Sequence, residues 1–199
     1  MGIPVRLENV VIVFPVLWEP RANTLDPSKP PKWSASFLLD PVANATSVAA
    51  VDAAYRQVLT EAGKLDRIQF LKSPMGTGDE KNQLRQSKGK DPWPWAVGKR
   101  YISANTQSAA PAVVDQHRRP ISKENSANLF GGCIVNAYID LYWSNNQTNP
   151  GCFVGLQGVQ LVSNVNVERV GAAGPPSAEE MFDVVPTNPA GGAGPAPWE

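Results

Sequence analysis

Phe130-Gly-Gly-Cys-Ile-Val-Asn-Ala-Tyr-Ile-Asp-Leu-Tyr-Trp143 carries the best-formed strand pattern in this chain. Cys133, Val135, Ala137, Ile139, Leu141 and Trp143 fall on one side, while Ile134, Asn136, Tyr138, Asp140 and Tyr142 fall on the other. Side chains alternate across an extended chain, so this spacing predicts a half-buried β-strand opening at Gly131-Gly132. The turn-formers of Ser144–Gly151 predict a reversal, and Cys152–Val162 then returns as the hairpin partner.

Working outward, Val5–Phe14 predicts a first strand, and the proline-rich Pro15–Pro31 an exposed connection. Trp33, Ala35, Phe37 and Leu39 alternate as a second strand, closed by Pro41. Val48, Val51, Tyr55, Val58, Leu59 and Ala62 recur at three- and four-residue spacing. That spacing predicts a helix capped by Thr46 or Ser47, with Gly63 at its C′ position. Lys64–Leu71 leads into a strand or a frayed extension. Lys72–Gly98, polar, basic and punctuated by Pro and Gly, predicts a long loop, a kind of segment that is usually functional or disordered. Tyr101–Asn105 and Ala112–Val114 predict short strands, with a turn at Asp115–Pro120.

Five or six strands, one helix and long loops predict a mainly β fold. A partly open antiparallel barrel of the OB-fold kind fits the pattern, and a β-sandwich fits it equally. Residues 1–170 would form the domain and 171–199 a disordered Pro/Gly/Ala-rich C-terminal tail, with Ser177-Ala-Glu-Glu180 as a capping box for one short turn.

The formal charge of zero conceals a strong asymmetry. Met1–Lys123 holds 17 Lys+Arg against 11 Asp+Glu, whereas Glu124–Glu199 holds one cation, Arg169, against seven acids. Such a split bears on partners rather than on fold. The basic part interleaves cations with rings: Lys81, Arg85, Lys88 and Lys90 lead into Trp93 and Trp95, followed by Lys99, Arg100 and Tyr101. Cations able to follow a phosphate backbone, beside rings on which bases stack, are the chemistry of single-stranded nucleic-acid binding. The same tryptophans can instead simply pack a loop onto the barrel. Tyr138 and Tyr142 are further candidates on the polar face of their strand, and Phe70 stands among Lys64, Arg67 and Lys72.

Enzymatic readings have less support. Gly76-Thr-Gly78 lacks the remainder of a phosphate-cradling loop. The one histidine, His117, has no nucleophile arrangement, and Asp79-Glu80 and Glu179-Glu180 are placed in flexible segments. Cys133 and Cys152 are too few for a zinc site and read as small core residues, so no metal or other cofactor is expected. No apolar run approaches the roughly 18 residues of a membrane helix. The chain reads as cytosolic and non-enzymatic, with no membrane partner; a homodimer is among the assemblies it allows.

Several segments resemble, in order, a known family. They are Lys32-Trp-Ser-Ala-Ser-Phe37, Tyr101-Ile-Ser-Ala-Asn105, Pro111-Ala-Val-Val-Asp115 with Arg119-Pro-Ile121, Gly131-Gly-Cys-Ile-Val135 leading into Tyr138, Gly155-Leu-Gln-Gly-Val-Gln160 and Ala178-Glu-Glu-Met-Phe-Asp183. The resemblance is to phage-encoded single-stranded DNA-binding proteins akin to the podovirus replication SSBs. It implies an OB-fold core and non-sequence-specific coating of single-stranded DNA during phage replication or recombination, in the bacterial host cytoplasm. Members of this kind often end in an acidic run closed by an aromatic residue, which recruits replication proteins. Here the resemblance implies that role for Trp198 and Glu199. The rival from another class is a β-sandwich structural or ligand-binding accessory protein whose basic loop is plain solvated surface.

Overall fold

The computed structural model of the chain describes residues 2–22, 27–145 and 150–171. Seven strands lie in one sheet: β1 (Ile3–Arg21), β2 (Lys32–Leu39), β3 (Met75–Thr77), β4 (Arg100–Thr106), β5 (Ala112–Val114), β6 (Ile134–Ser144) and β7 (Gly151–Ser163). Helices α1 (Ala45–Glu61) and α2 (Gly78–Gln86) and 3-10 turns at Leu65–Phe70, Pro94–Ala96 and Lys123–Asn128 complete the described elements.

Antiparallel pairings run β4–β2–β1–β6–β7, and one parallel pair, Asn105↔Gly155, joins β4 to β7. That pair closes a five-stranded barrel, with β3 added outside β4 and β5 parallel to β7. The mainly β, OB-like barrel agrees with expectation. The β6–β7 hairpin registers Ile134↔Ser163 through Ser144↔Gly151, close to the limits its sequence predicts.

β1 serves two neighbours because it bends. Its first half pairs with β6, from Ile3↔Leu141 to Val11↔Ile134, and its second half with β2, from Val11↔Leu38 to Arg21↔Lys32. Register shifts fall between Leu7 and Val10 and between Val13 and Val16. Asn9 and Phe14 take left-handed backbone there, each at φ 52°. Such bulges bend a strand and increase its twist, as barrel closure needs. The exposed connection expected from Pro15 therefore starts later: the strand continues to Arg21, since Pro15 sits at an irregularity where no ladder N–H is required.

Alternation sends Leu7, Ile12, Phe37, Ile102, Val135, Ile139, Leu141 and Leu156 into the barrel interior, all essentially fully buried. α1 closes one side with Val51, Tyr55, Val58 and Leu59. Gly63 terminates it at φ +64°, as its C′ position predicts. The N-cap, however, is Asn44 rather than Thr46 or Ser47. Asn44 Nδ2 donates to the carbonyls of Glu8 and Asn9, and Ser47 Oγ accepts from the Glu8 N–H. These two polar side chains tether the helix to the β1 bulge, a long-range demand that outweighs local capping.

The largest departure is at Lys72–Gly98. The segment is not a long loop: it folds as β3, the second helix α2 and a 3-10 turn. Lys64–Leu71 contains a 3-10 turn rather than a strand. Cys133 is buried and Cys152 half-buried, both as free thiols, and burial pushes the Cys152 thiol up to about 11. No helix among the described residues is long and apolar enough to cross a membrane. The Ser177–Glu180 capping box lies outside the described residues.

Candidate nucleic-acid interface

The barrel's outer surface over β1, β2 and β4 is where α2 and the tryptophan turn are docked. α2 begins with a capping box: the Glu80 N–H donates to Thr77 Oγ1 at 3.1 Å, and Glu80 Oε2 accepts from the Thr77 N–H at 3.0 Å. Asp79 accepts from the Gly98 N–H at 3.3 Å. The Asp79-Glu80 pair is thus built into a helix start rather than a flexible segment. Gly76-Thr-Gly78 is the β3–α2 junction, and a Cβ at Gly78 would overlap the Ala96 carbonyl. Asn82, 7% exposed, holds the turn from both sides: its Nδ2 donates to the Trp93 carbonyl at 3.0 Å and its Oδ1 accepts from the Trp93 N–H at 2.7 Å.

That docking assembles an aromatic cluster. Trp93 and Trp95 stack at 4.9 Å between centroids, Phe14 lies 5.0 Å from Trp93 and 5.9 Å from Trp95, and Tyr101 stacks on Trp93 at 6.5 Å. Beneath them, Val13, Leu38, Ala96 and Tyr101 are buried as a second small core outside the barrel. The Arg85 guanidinium sits 4.2 Å over the Trp93 ring and is fixed by a bond from Nε to the Asp91 carbonyl; Lys81 Nζ is 5.0 Å over Tyr101. Burial, and next the charge of Lys72, holds the Lys81 ammonium below its ordinary pKa. One cation is therefore held over a half-exposed indole and a second over the buried phenol ring stacked against it, an arrangement suited to anionic, aromatic ligands.

Comparison with known proteins bears directly on this arrangement. The profile of the family described as "Enterobacter phage Enc34, ssDNA-binding protein" matches residues 3–190. The chain belongs to this family. A search of curated proteins gives no match. Among solved structures, the Enc34 phage single-stranded DNA-binding protein in complex with ssDNA has 18% identity and a TM-score of 0.67, covering 82% of this chain and 88% of its own. A second structure of the bacteriophage Enc34 single-stranded DNA-binding protein has 19% identity and a TM-score of 0.65, covering 90% of each chain. The gp2.5 single-stranded DNA-binding protein of bacteriophage T7 has 13% identity and a TM-score of 0.50, covering 84% of this chain and 98% of its own. At these identities the likeness to solved structures is one of fold.

The family barrel also locates the other predicted residues. Lys88 and Lys90 are exposed on the turn that ends α2. Tyr101 is only 6% exposed, so it supports Trp93 rather than presenting a free ring. Alternation puts Arg100 on the opposite side of β4, level with Leu39, with its Nε buried and without a hydrogen-bond partner among the described residues. Lys99 is paired with Asp40, Nζ to Oδ2 at 2.5 Å. Tyr142 stacks on Phe153 at 6.1 Å, and the parallel register at Asn105↔Gly155 sets Phe153 level with Ser103. Ser103 is bonded to Ser36 at 2.9 Å, two residues along β4 and β2 from Tyr101 and Leu38, which lie beneath the tryptophan cluster. Tyr138 faces elsewhere, over β6 and β7, while Trp198 and Glu199 lie outside the described residues.

Phe14, Asn82, Ser36, Ser103 and Phe153 were not singled out by sequence for this surface. One signal was readable: Thr77-x-x-Glu80 is a capping-box spacing and marks the start of α2. Phe70 is 76% exposed, and Lys72 lies close enough to act on Lys81, so that patch borders the same surface.

Proposed function

We propose that the protein binds single-stranded DNA without reading its sequence, coating and protecting it during phage replication and recombination in the host cytoplasm. The observation that carries this reading is the stacked pair Trp93–Trp95, with Arg85 over the Trp93 ring and Lys81 over the adjoining Tyr101 ring, on the outer face of β1, β2 and β4. Family membership and the ssDNA complex of the Enc34 protein support it. Bases would stack on Trp93 and Trp95, backed by Phe14 and Tyr101, and continue over Ser36 and Ser103 to Phe153 and Tyr142. Lys81, Arg85, Lys88 and Lys90 would meet phosphates. Lys99 would do so only by exchanging Asp40 for phosphate, and Arg100 contributes its charge from the barrel's end. This work is equilibrium binding and involves no reaction; the Asp79 and Glu80 carboxylates are engaged by the helix start.

In this reading residues 1–170 are the binding domain and 171–199 a separate tail that meets replication or recombination proteins through Trp198 and Glu199. Val170 is bonded to the Gly131 carbonyl and Gly171 abuts the Phe14 ring, so the chain leaves the barrel beside the cluster. Glu179, Glu180, Asp183 and Glu199, with no cation among residues 172–199, would compete there with DNA.

Titration of the full chain with poly-dT, read by tryptophan fluorescence at two salt concentrations, tests the reading. The log–log salt slope is expected to be about −0.7 per phosphate contacted, and each of Trp93→Ala and Trp95→Ala should weaken binding. A flat salt response, or equal affinity for duplex and single strand, refutes it.

A further inference from the structure

Beyond the β1–β2–β4 surface that carries the tryptophans, one rung of the sheet reads Arg6, Tyr138, Gly158 and Ala112 across β1, β6, β7 and β5. Tyr138 is 51% exposed, and its neighbours toward β5 are a glycine and an alanine. The ring therefore stands beside a floor with almost no side chains. This floor is part of a groove of about 590 Å³, walled by Arg6 on one side and by Gln116 and Arg118 on the other. A second groove nearby, around Asp115, His117 and Arg119, mixes both signs of charge; none of the residues lining the Tyr138 groove is a carboxylate.

The cation at the rim is set by its turn. Asp115 Oδ1 accepts from the N–H groups of His117 and Arg119, and its Oδ2 accepts from Arg119 Nε at 2.7 Å. This consumes Arg119 but leaves the side chain of Arg118 with no ion pair or hydrogen bond among the described residues. Arg118 holds left-handed backbone at φ 64°, a conformation that is uncommon for a residue with a Cβ. Among the described residues, Arg6 is paired with Glu8 alone, and both side chains of that pair are solvent-exposed. The floor amides are ordered, with Asn136 Nδ2 donating to Gln160 Oε1 at 3.1 Å.

We propose that this groove is a second subsite for single-stranded DNA, distinct from the tryptophan face, taking one base against Tyr138 and the flanking phosphates on Arg6 and Arg118. A strand too long for the first face continues round the barrel into it. Open space beside an exposed ring suits a stacked base, and the Arg118 guanidinium, with no ion pair among the described residues, suits phosphate, while Arg6 would exchange its exposed Glu8 partner for one. The inference rests on the single-strand reading of the first face.

The test uses the full-length protein and its Tyr138→Ala and Arg118→Ala variants, with DNA in excess. One oligo-dT of about 8 nucleotides falls within the roughly 4–16 that an OB face occupies, and one of about 40 lies well beyond it. Both variants should bind the short strand as the wild type does, and the long strand about fivefold or more weakly. Arg118→Ala should also reduce the salt slope on the long strand by about 0.7. Trp93→Ala should weaken both lengths. Unchanged long-strand affinity and slope in both variants overturns the second subsite, as does equal loss on both lengths. Failure of the wild type to bind either length removes the first-face reading, and this one with it.

Discussion

Asn82→Ala is the most informative single change, because Asn82 reaches the proposed DNA face through the Trp93 backbone. Its side chain makes two hydrogen bonds to the Trp93 backbone, at 3.0 and 2.7 Å, from a buried position. Truncation leaves the Trp93 N–H without its partner, at about 1–3 kcal/mol for a buried unsatisfied group, and takes one of two donors from the Trp93 carbonyl, which keeps the Ala96 N–H at 3.1 Å, at about 0.5–1.5 kcal/mol. Partial hydration as the turn loosens brings the sum to about 2–4 kcal/mol on the docking of α2 against the tryptophan turn. Global unfolding should move less, since the barrel core does not include Asn82. Binding should lose what an ordered Trp93 contributes. Base–aromatic stacking is worth about 1–3 kcal/mol, so oligo-dT affinity should fall about 5- to 150-fold. Fluorescence anisotropy of labelled dT gives that number, and thermal unfolding followed by circular dichroism checks the fold. A double-mutant cycle with Trp93→Ala decides the mechanism: if Asn82 acts only by positioning Trp93, the double variant binds like Trp93→Ala alone. Additive losses, or wild-type affinity in Asn82→Ala, would refute the reasoning.

Other consequences are equally direct. Gly78→Ala places a methyl group against the Ala96 carbonyl and should lower stability by about 1–3 kcal/mol while weakening dT binding, measured by urea unfolding and anisotropy; wild-type behaviour would show that α2 and the tryptophan turn are not in close contact. Asp40 is held well below its usual 3.8, first by its bond from Lys99 and then by the Ala43 and Val42 N–H groups. A depressed carboxylate stabilises the fold above its unfolded pKa, and that stabilisation is lost as pH falls through the folded value. The stability gap between wild type and Asp40→Asn should thus be full at neutral pH and shrink below about pH 4, read by denaturant midpoints; a gap independent of pH contradicts the assignment. Removing residues 172–199 should tighten dT binding, most at low salt where charges are least screened, and an unchanged affinity would sink the competing-tail proposal.

Much of the barrel was legible because its signals are local. The alternation of Cys133–Trp143 named the buried face of β6 residue by residue, and α1 showed its three- and four-residue stripe. Lys72–Gly98 was misjudged because its apolar content is thin: α2 buries only Gly78 and Asn82, so hydrophobic periodicity had nothing to register. Its order comes from a capping box, an amide clamp and a glycine contact, each specified by one or two polar residues. The site suffered likewise. Trp93 and Trp95 announced themselves by composition, whereas Phe14, eighty residues away in sequence from the turn it packs against, appeared as the end of an apolar run.

Taken alone, the sequence determined which residues turn inward, where the β6–β7 hairpin reverses, and that cations and rings share one segment. Those are properties of period, turn chemistry and charge, and each is written within a dozen or so residues. Only the tertiary structure decided that β1 bends twice to serve two neighbouring strands, that Asn105 meets Gly155 to close the barrel, and that Phe14, Trp93, Trp95 and Tyr101 form one cluster to which Tyr138 does not belong. Such outcomes depend on register and long-range packing. A one-residue slip moves a side chain to the opposite face, and the energy that fixes the register comes from contacts far apart along the chain.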